Sequence, residues 1–104
     1  MPTRKARTTW TGGIQDGSGR VELVSSGAGT FDVSFPKRIA EEADGVTSPE
    51  ELIAAAHAAC FSMALSNAVA QGGGTPQSLV VEVEVRLGPD PAGGFRIADI
   101  MIHV

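Results

Sequence analysis

The sequence holds a single cysteine, Cys60, in 104 residues. One thiol forms no disulfide within its own chain, which excludes a stapled secreted scaffold and leaves Cys60 to be judged by its surroundings. Positive charge is also scarce: eight Lys and Arg face twelve Asp and Glu, for a net charge of −4. The cations are scattered rather than striped, so the chain lacks a footprint for tracking a phosphate backbone, and nucleic acid is not an expected partner. The first ten residues carry Arg4, Lys5 and Arg7 but no apolar run, unlike a secretion signal. The longest apolar stretch, residues 52–65, is interrupted by His57, Cys60 and Ser62, and falls short of the roughly 20 residues that cross a bilayer. The expectation is a cytoplasmic protein with no membrane association. Repeats, low-complexity tracts and dividing linkers are missing too, so residues 1–104 read as one domain. A core of this size is modest, and burial against a partner would help it.

What is present begins with short β-prone pieces cut by glycine: "ARTTWTGGI", "GRVELVSS" and "TFDVSFP". Val21, Leu23 and Ser25 alternate with Arg20, Glu22 and Val24, and Phe31, Val33 and Phe35 alternate with Asp32 and Ser34. This period of two predicts a three-stranded antiparallel meander with one buried face. Residues 37–48 turn polar and charged without a period, which suggests a surface loop with Arg38 at its start.

Ser48, Pro49, Glu50 and Glu51 then form a helix opening: a capping hydroxyl, proline at the first helical position and early carboxylates. The helix runs to Gln71, is apolar on nearly every side, and is stopped by Gly72, Gly73 and Gly74. Such a helix is expected to be buried all round. Its small residues, Ala54, Ala55, Ala58, Ala59 and Ala64, invite a second helix that the chain does not itself supply. Beyond it, "SLVVEVEVRLG" and "GFRIADIMIHV" read as two more strands forming a hairpin. The fold class is α+β, in the order β-β-β-α-β-β.

The segment "TSPEELIAAAHAACFSMAL", residues 47–65, resembles the signature of the OsmC/Ohr family, and specifically its OsmC branch. The opening "TTWTGGI", the basic residue after the third strand, the "GGGTPQSL" turn and "VVEVEVRL" extend the likeness over nearly the whole chain. The resemblance implies an OsmC-like antiparallel sheet around a long buried central helix, in an intertwined homodimer. It also implies thiol-dependent reduction of organic hydroperoxides, and in some members hydrogen peroxide, in oxidative or osmotic stress defence. No cofactor and no metal are implied. The family's cysteine, arginine and glutamate fall on Cys60, Arg38 and Glu50. Family members carry a further helix with a second cysteine that resolves the sulfenic acid; these 104 residues hold no second cysteine, so the expected reductant is an external thiol or dithiol.

Each assignment has a physical counterpart. Cys60 lies mid-helix, too far from the N-terminus for the helix dipole to stabilise a thiolate, and its apolar neighbours disfavour the charge. A cation must be brought in. Arg38 suits that task because a guanidinium stays charged and also donates hydrogen bonds to a departing alkoxide, while Glu50 can hold its fork. Glu50 and Cys60 are ten residues apart, about 15 Å along a straight helix. The simplest resolution joins Arg38 and Glu50 of one subunit to Cys60 of another across a two-fold axis.

Plainer readings stand beside these. Most buried cysteines are inert, Arg38 alone reads as a solvated loop residue, and Glu50 is explained by its place in the first helical turn. His57, three residues before Cys60, raises the thought of a Cys-His nucleophile pair, although a satisfied core histidine is the commoner outcome and no nucleophile-elbow sequence is present. His103, His57 and Cys60 lack metal-ligand spacing. Trp10, Phe31, Phe35, Phe61 and Met63 fit either an apolar substrate pocket or plain packing. The alternative to a peroxidase is a weak or inert OsmC-like module with a structural or redox-sensing role.

Overall fold

The computed structural model describes residues 1–104 and divides into two compact units, residues 1–49 and 50–104. In the first unit, β1 (Arg7–Thr11), β2 (Ser18–Glu22) and β3 (Thr30–Val33) form an antiparallel sheet in the order β1-β2-β3. This is the meander that the alternation predicts. The polar face is stitched by cross-strand pairs: Arg7 opposes Glu22 with a 3.7 Å ion pair, and Arg20 opposes Asp32 at the same distance. On the other face Trp10 opposes Gly19, where a Cβ would stand 2.8 Å from the indole ring. Glycine there lets the ring lie flat on the sheet. The β1–β2 loop is tighter still, because a Cβ on Gly17 would meet the Gly13 carbonyl oxygen at 2.3 Å. Asp16 secures the same loop by accepting from the Gly13 N–H at 3.0 Å.

The third strand is shorter than its alternating pattern suggests. It stops at Val33, and a short helix, α1 (Phe35–Ile39), follows. Ser34 caps α1, its hydroxyl accepting from the Lys37 N–H at 3.3 Å, and a proline sits in the first turn. Proline has no N–H for a sheet ladder but is pre-set for a helix start, which ends the strand. Arg38 therefore lies in a helical turn and not, as the polar composition suggested, in an irregular loop.

In the second unit α2 spans Pro49–Gln71, the bounds its opening and closing residues predict. Its end is a left-handed cap: Gly73 has φ +92°, the Gly73 N–H donates to the Ala70 carbonyl at 3.1 Å, and the Gly74 N–H reaches the Val69 carbonyl at 2.9 Å. These bonds satisfy carbonyls that a helix end otherwise strands. At 23 residues α2 is longer than the interrupted apolar run within it, and its most apolar window has a mean hydropathy of 1.5. By length and composition alone it is long and apolar enough to cross a membrane, a test that the core helix of a soluble protein also passes.

The hairpin of β4 (Glu82–Pro89) and β5 (Phe95–His103) completes the unit. Its turn is closed by Asp90, whose N–H donates to the Gly94 carbonyl and whose side chain accepts from the Ala92 N–H, both at 2.9 Å. The register slips between Arg86 and Leu87, which pair with Asp99 and Ile97 and leave Ala98 as a bulge. The slip keeps Val83, Val85 and Leu87 on one face with Ile97, Ile100 and Ile102. Arg86 pairs with Asp99, and His103 lies 3.5 Å from Glu84, on the opposite face.

No hydrophobic side chain is buried in the single chain. The expectation of a helix buried on every side is therefore not met within it: the one buried residue of α2 is Glu50. The chain's own strands do not supply the cover that an all-round apolar helix requires.

Candidate functional site

Arg38 belongs to the first unit, in the last turn of α1, where its N–H donates to the Ser34 carbonyl at 3.0 Å. The Ser34 cap and the proline turn thus fix the point from which its guanidinium extends. Nearby, Lys37 pairs with Asp44 at 3.7 Å, anchoring the chain after α1.

Glu50 and Cys60 belong to the second unit, both on α2. Glu50 is 6% exposed, and no buried polar side-chain atom lacks a hydrogen-bond partner. A carboxylate is expensive to bury unless paired and hydrogen-bonded, so Glu50 is a fixed, satisfied acceptor and not a solvated cap residue. That distinction was not legible in the sequence, where its place in the first turn was explanation enough. Ten residues on, about 15 Å by helical rise, Cys60 is a free thiol and exposed. Its apolar neighbours predict a buried Cys60; it is exposed, and those neighbours are mostly alanines, too small to cover it.

The face around Cys60 is set by the helical repeat. Residues 56–64 put Ala56 and His57 one turn before it and Met63 and Ala64 one turn after, all exposed, with Met63 at 73%. His57 is not the satisfied core histidine that is common at such positions: it is exposed, and its imidazole forms no hydrogen bond or ion pair within the chain. Ser62 is committed, its hydroxyl donating to the Ala58 carbonyl at 2.8 Å. His103 is on β5 beside Glu84. No group of three or more His, Cys, Asp and Glu side chains is placed to hold a metal ion. Of the aromatic set, Trp10, Phe31 and Phe35 lie in the first unit and Phe61 on α2 in the second.

Residues 42–104 match the family model described as OsmC-like protein. Over 99 residues, covering 95% of this chain and 67% of the relative, the sequence is 40% identical to the protein named peroxiredoxin OsmC from Escherichia coli K12. It is 34% identical over 88 residues to organic hydroperoxide resistance protein-like 2 of Staphylococcus epidermidis, covering 81% of this chain and 62% of the relative. Among solved structures, an organic hydroperoxide resistance protein from Elizabethkingia anophelis aligns over 98% of this chain and 66% of its own, with a TM-score of 0.69 and 29% identity. The organic hydroperoxide resistance protein OhrB of Bacillus subtilis aligns over 94% and 67%, with a TM-score of 0.65 and 32% identity. The chain thus spans about two thirds of the length of the relatives it matches. The model match runs through α2, so the apolar character of that helix is a property of this α+β fold and not evidence of a membrane span. With its β-β-β-α-β-β order around the long α2, to which the short α1 is added, its antiparallel sheets and its agreement with these relatives in both sequence and structure, the chain belongs to the OsmC-like protein family.

Proposed function

We propose that residues 1–104 form one OsmC-like domain that reduces organic hydroperoxides through Cys60. The observation that carries this reading is a free, exposed thiol on the helix through which the family match runs. The relatives' names, peroxiredoxin and organic hydroperoxide resistance protein, supply the substrate class.

In this reading the Cys60 thiolate attacks the distal oxygen of the hydroperoxide. A sulfur–oxygen bond forms as the weak O–O bond breaks; sulfur is oxidised to the sulfenic acid and the other oxygen leaves as alkoxide. In-line approach needs little more than positioning. Arg38 stabilises first the thiolate and then the alkoxide, and Glu50 orients the guanidinium. Since Glu50 and Cys60 are separated along α2, the working site pairs two subunits of a homodimer, Arg38 and Glu50 of one serving Cys60 of the other. An external dithiol then reduces the sulfenic acid, returning the thiol and releasing water and a disulfide. No metal or cofactor takes part, and the setting is a soluble protein of the cytoplasm.

Intact mass spectrometry before and after one equivalent of cumene hydroperoxide tests the first step. The reading expects one oxygen added, removed by a dithiol chase, and no addition in Cys60→Ser. An unchanged mass would sink it. One oxidation that a dithiol fails to cycle favours a redox-sensing module instead.

A further inference from the structure

The proposed trio of Cys60, Arg38 and Glu50 leaves one requirement unmet. An alkoxide is a strong base and leaves readily only if it is protonated as the O–O bond breaks. A guanidinium stabilises negative charge but does not give up its proton in proteins, and a carboxylate held as an ion-pair acceptor has none to give. Some other group near Cys60 must deliver a proton.

The geometry of α2 leaves one such group on the helix. Within one turn on either side of Cys60, residues 56–64, only His57 and Ser62 carry a polar hydrogen. The Ser62 hydroxyl is spent on the Ala58 carbonyl at 2.8 Å. His57 sits three residues before Cys60, where helical neighbours bring their Cβ atoms within about 5–6 Å. Both side chains are exposed, and the imidazole forms no hydrogen bond or ion pair with any other group of the chain, Cys60 included, so it is uncommitted. One turn away His57 has Ile53 and Ala54 on one side and Cys60 and Phe61 on the other, so the imidazole stands between two apolar side chains with Cys60 beside it. Imidazole is also the side chain best suited to both accept and donate a proton near neutral pH.

We propose that His57 is the proton carrier of the peroxidatic step, donating to the alkoxide as it departs. The inference rests on the hydroperoxide-reductase reading above. The balance is simple: the thiol proton of Cys60 passes to the imidazole, the thiolate takes the distal OH of the hydroperoxide as sulfenic acid, and the imidazolium returns the proton to the leaving oxygen. Thiol and hydroperoxide become sulfenic acid and alcohol with no other reactant. Arg38 and His57 then divide the work, one holding charge and the other moving the proton.

Leaving-group chemistry separates this role from a structural one. Cumene hydroperoxide expels an alkoxide that needs the proton, whereas peracetic acid expels acetate, which does not. In His57→Gln the rate constant for Cys60 oxidation by cumene hydroperoxide should fall about 10²-fold, and that for peracetic acid by under about threefold. Added imidazole should restore cumene hydroperoxide reduction in His57→Ala. Equal losses with both oxidants and no rescue would assign His57 a merely structural role, and no loss with either would remove it from the mechanism; both overturn the proposal. If the unsubstituted protein reacts with neither oxidant, the hydroperoxide-reductase reading itself fails, a result distinct from either of these.

Discussion

Dilution should destabilise this protein to a degree that can be worked from its surface. Ordering the backbone costs roughly 1–2 kcal/mol per residue, and burial of a Val, Leu, Ile or Phe side chain returns about 1.5–3 kcal/mol. The single chain buries no hydrophobic side chain and leaves Met63 at 73%, Met101 at 52% and Phe95 at 51% exposure. In the proposed homodimer the cover for α2 comes from a second copy, which offers the same apolar faces. On that proposal folding and dimerisation are one equilibrium, and a hundredfold dilution should remove about 2.7 kcal/mol of apparent stability by mass action. For a transition that melts two chains of this size together, the Tm should drop by roughly 5–10 °C. Thermal unfolding followed by circular dichroism across that concentration range, with sedimentation equilibrium at both ends, measures it. A Tm independent of concentration together with a monomeric mass would refute the reasoning.

Other substitutions probe the parts separately. Ser34→Ala removes the cap of α1 and should cost about 1 kcal/mol in urea unfolding; because α1 carries Arg38, hydroperoxide turnover should fall further than stability does. Gly17→Ala sets a Cβ against two backbone carbonyls and should cost about 2 kcal/mol or more, whereas Gly27→Ala faces open space with only a positive φ to strain it and should cost about 1 kcal/mol. Equal urea midpoints for the two would contradict the account of the β1–β2 loop. Glu50→Ala removes the one buried charged side chain and the hydrogen bonds it accepts and should destabilise by about 1–3 kcal/mol, read from chemical unfolding monitored by Trp10 fluorescence.

The parts of the fold carried by local signals were legible. The bounds of α2 follow from Ser48, Pro49 and the glycines after Gln71, and the meander and the hairpin follow from alternation cut by Gly and Pro. Where two local signals compete, the pattern misleads: Phe31, Val33 and Phe35 continue a strand alternation through Ser34 and the polar run from Lys37 suggests a loop, but the serine cap and the following proline switch residues 35–39 to helix. The bulge at Ala98 has no sequence mark. Candidate site residues were recognisable by type and place, but their environments were not. Glu50 is buried and Cys60 exposed, the reverse of what their chemical characters suggest, because exposure depends on what packs over a helix and not on the helix's own residues.

The central claim, that Cys60 turns over hydroperoxide, is tested most directly by counting. With excess dithiol and cumene hydroperoxide, the moles of hydroperoxide consumed per mole of thiol should exceed one many times over in the unsubstituted protein and fall to the uncatalysed background in Cys60→Ser. Consumption that stops at one equivalent, or that persists undiminished without Cys60, would contradict the account.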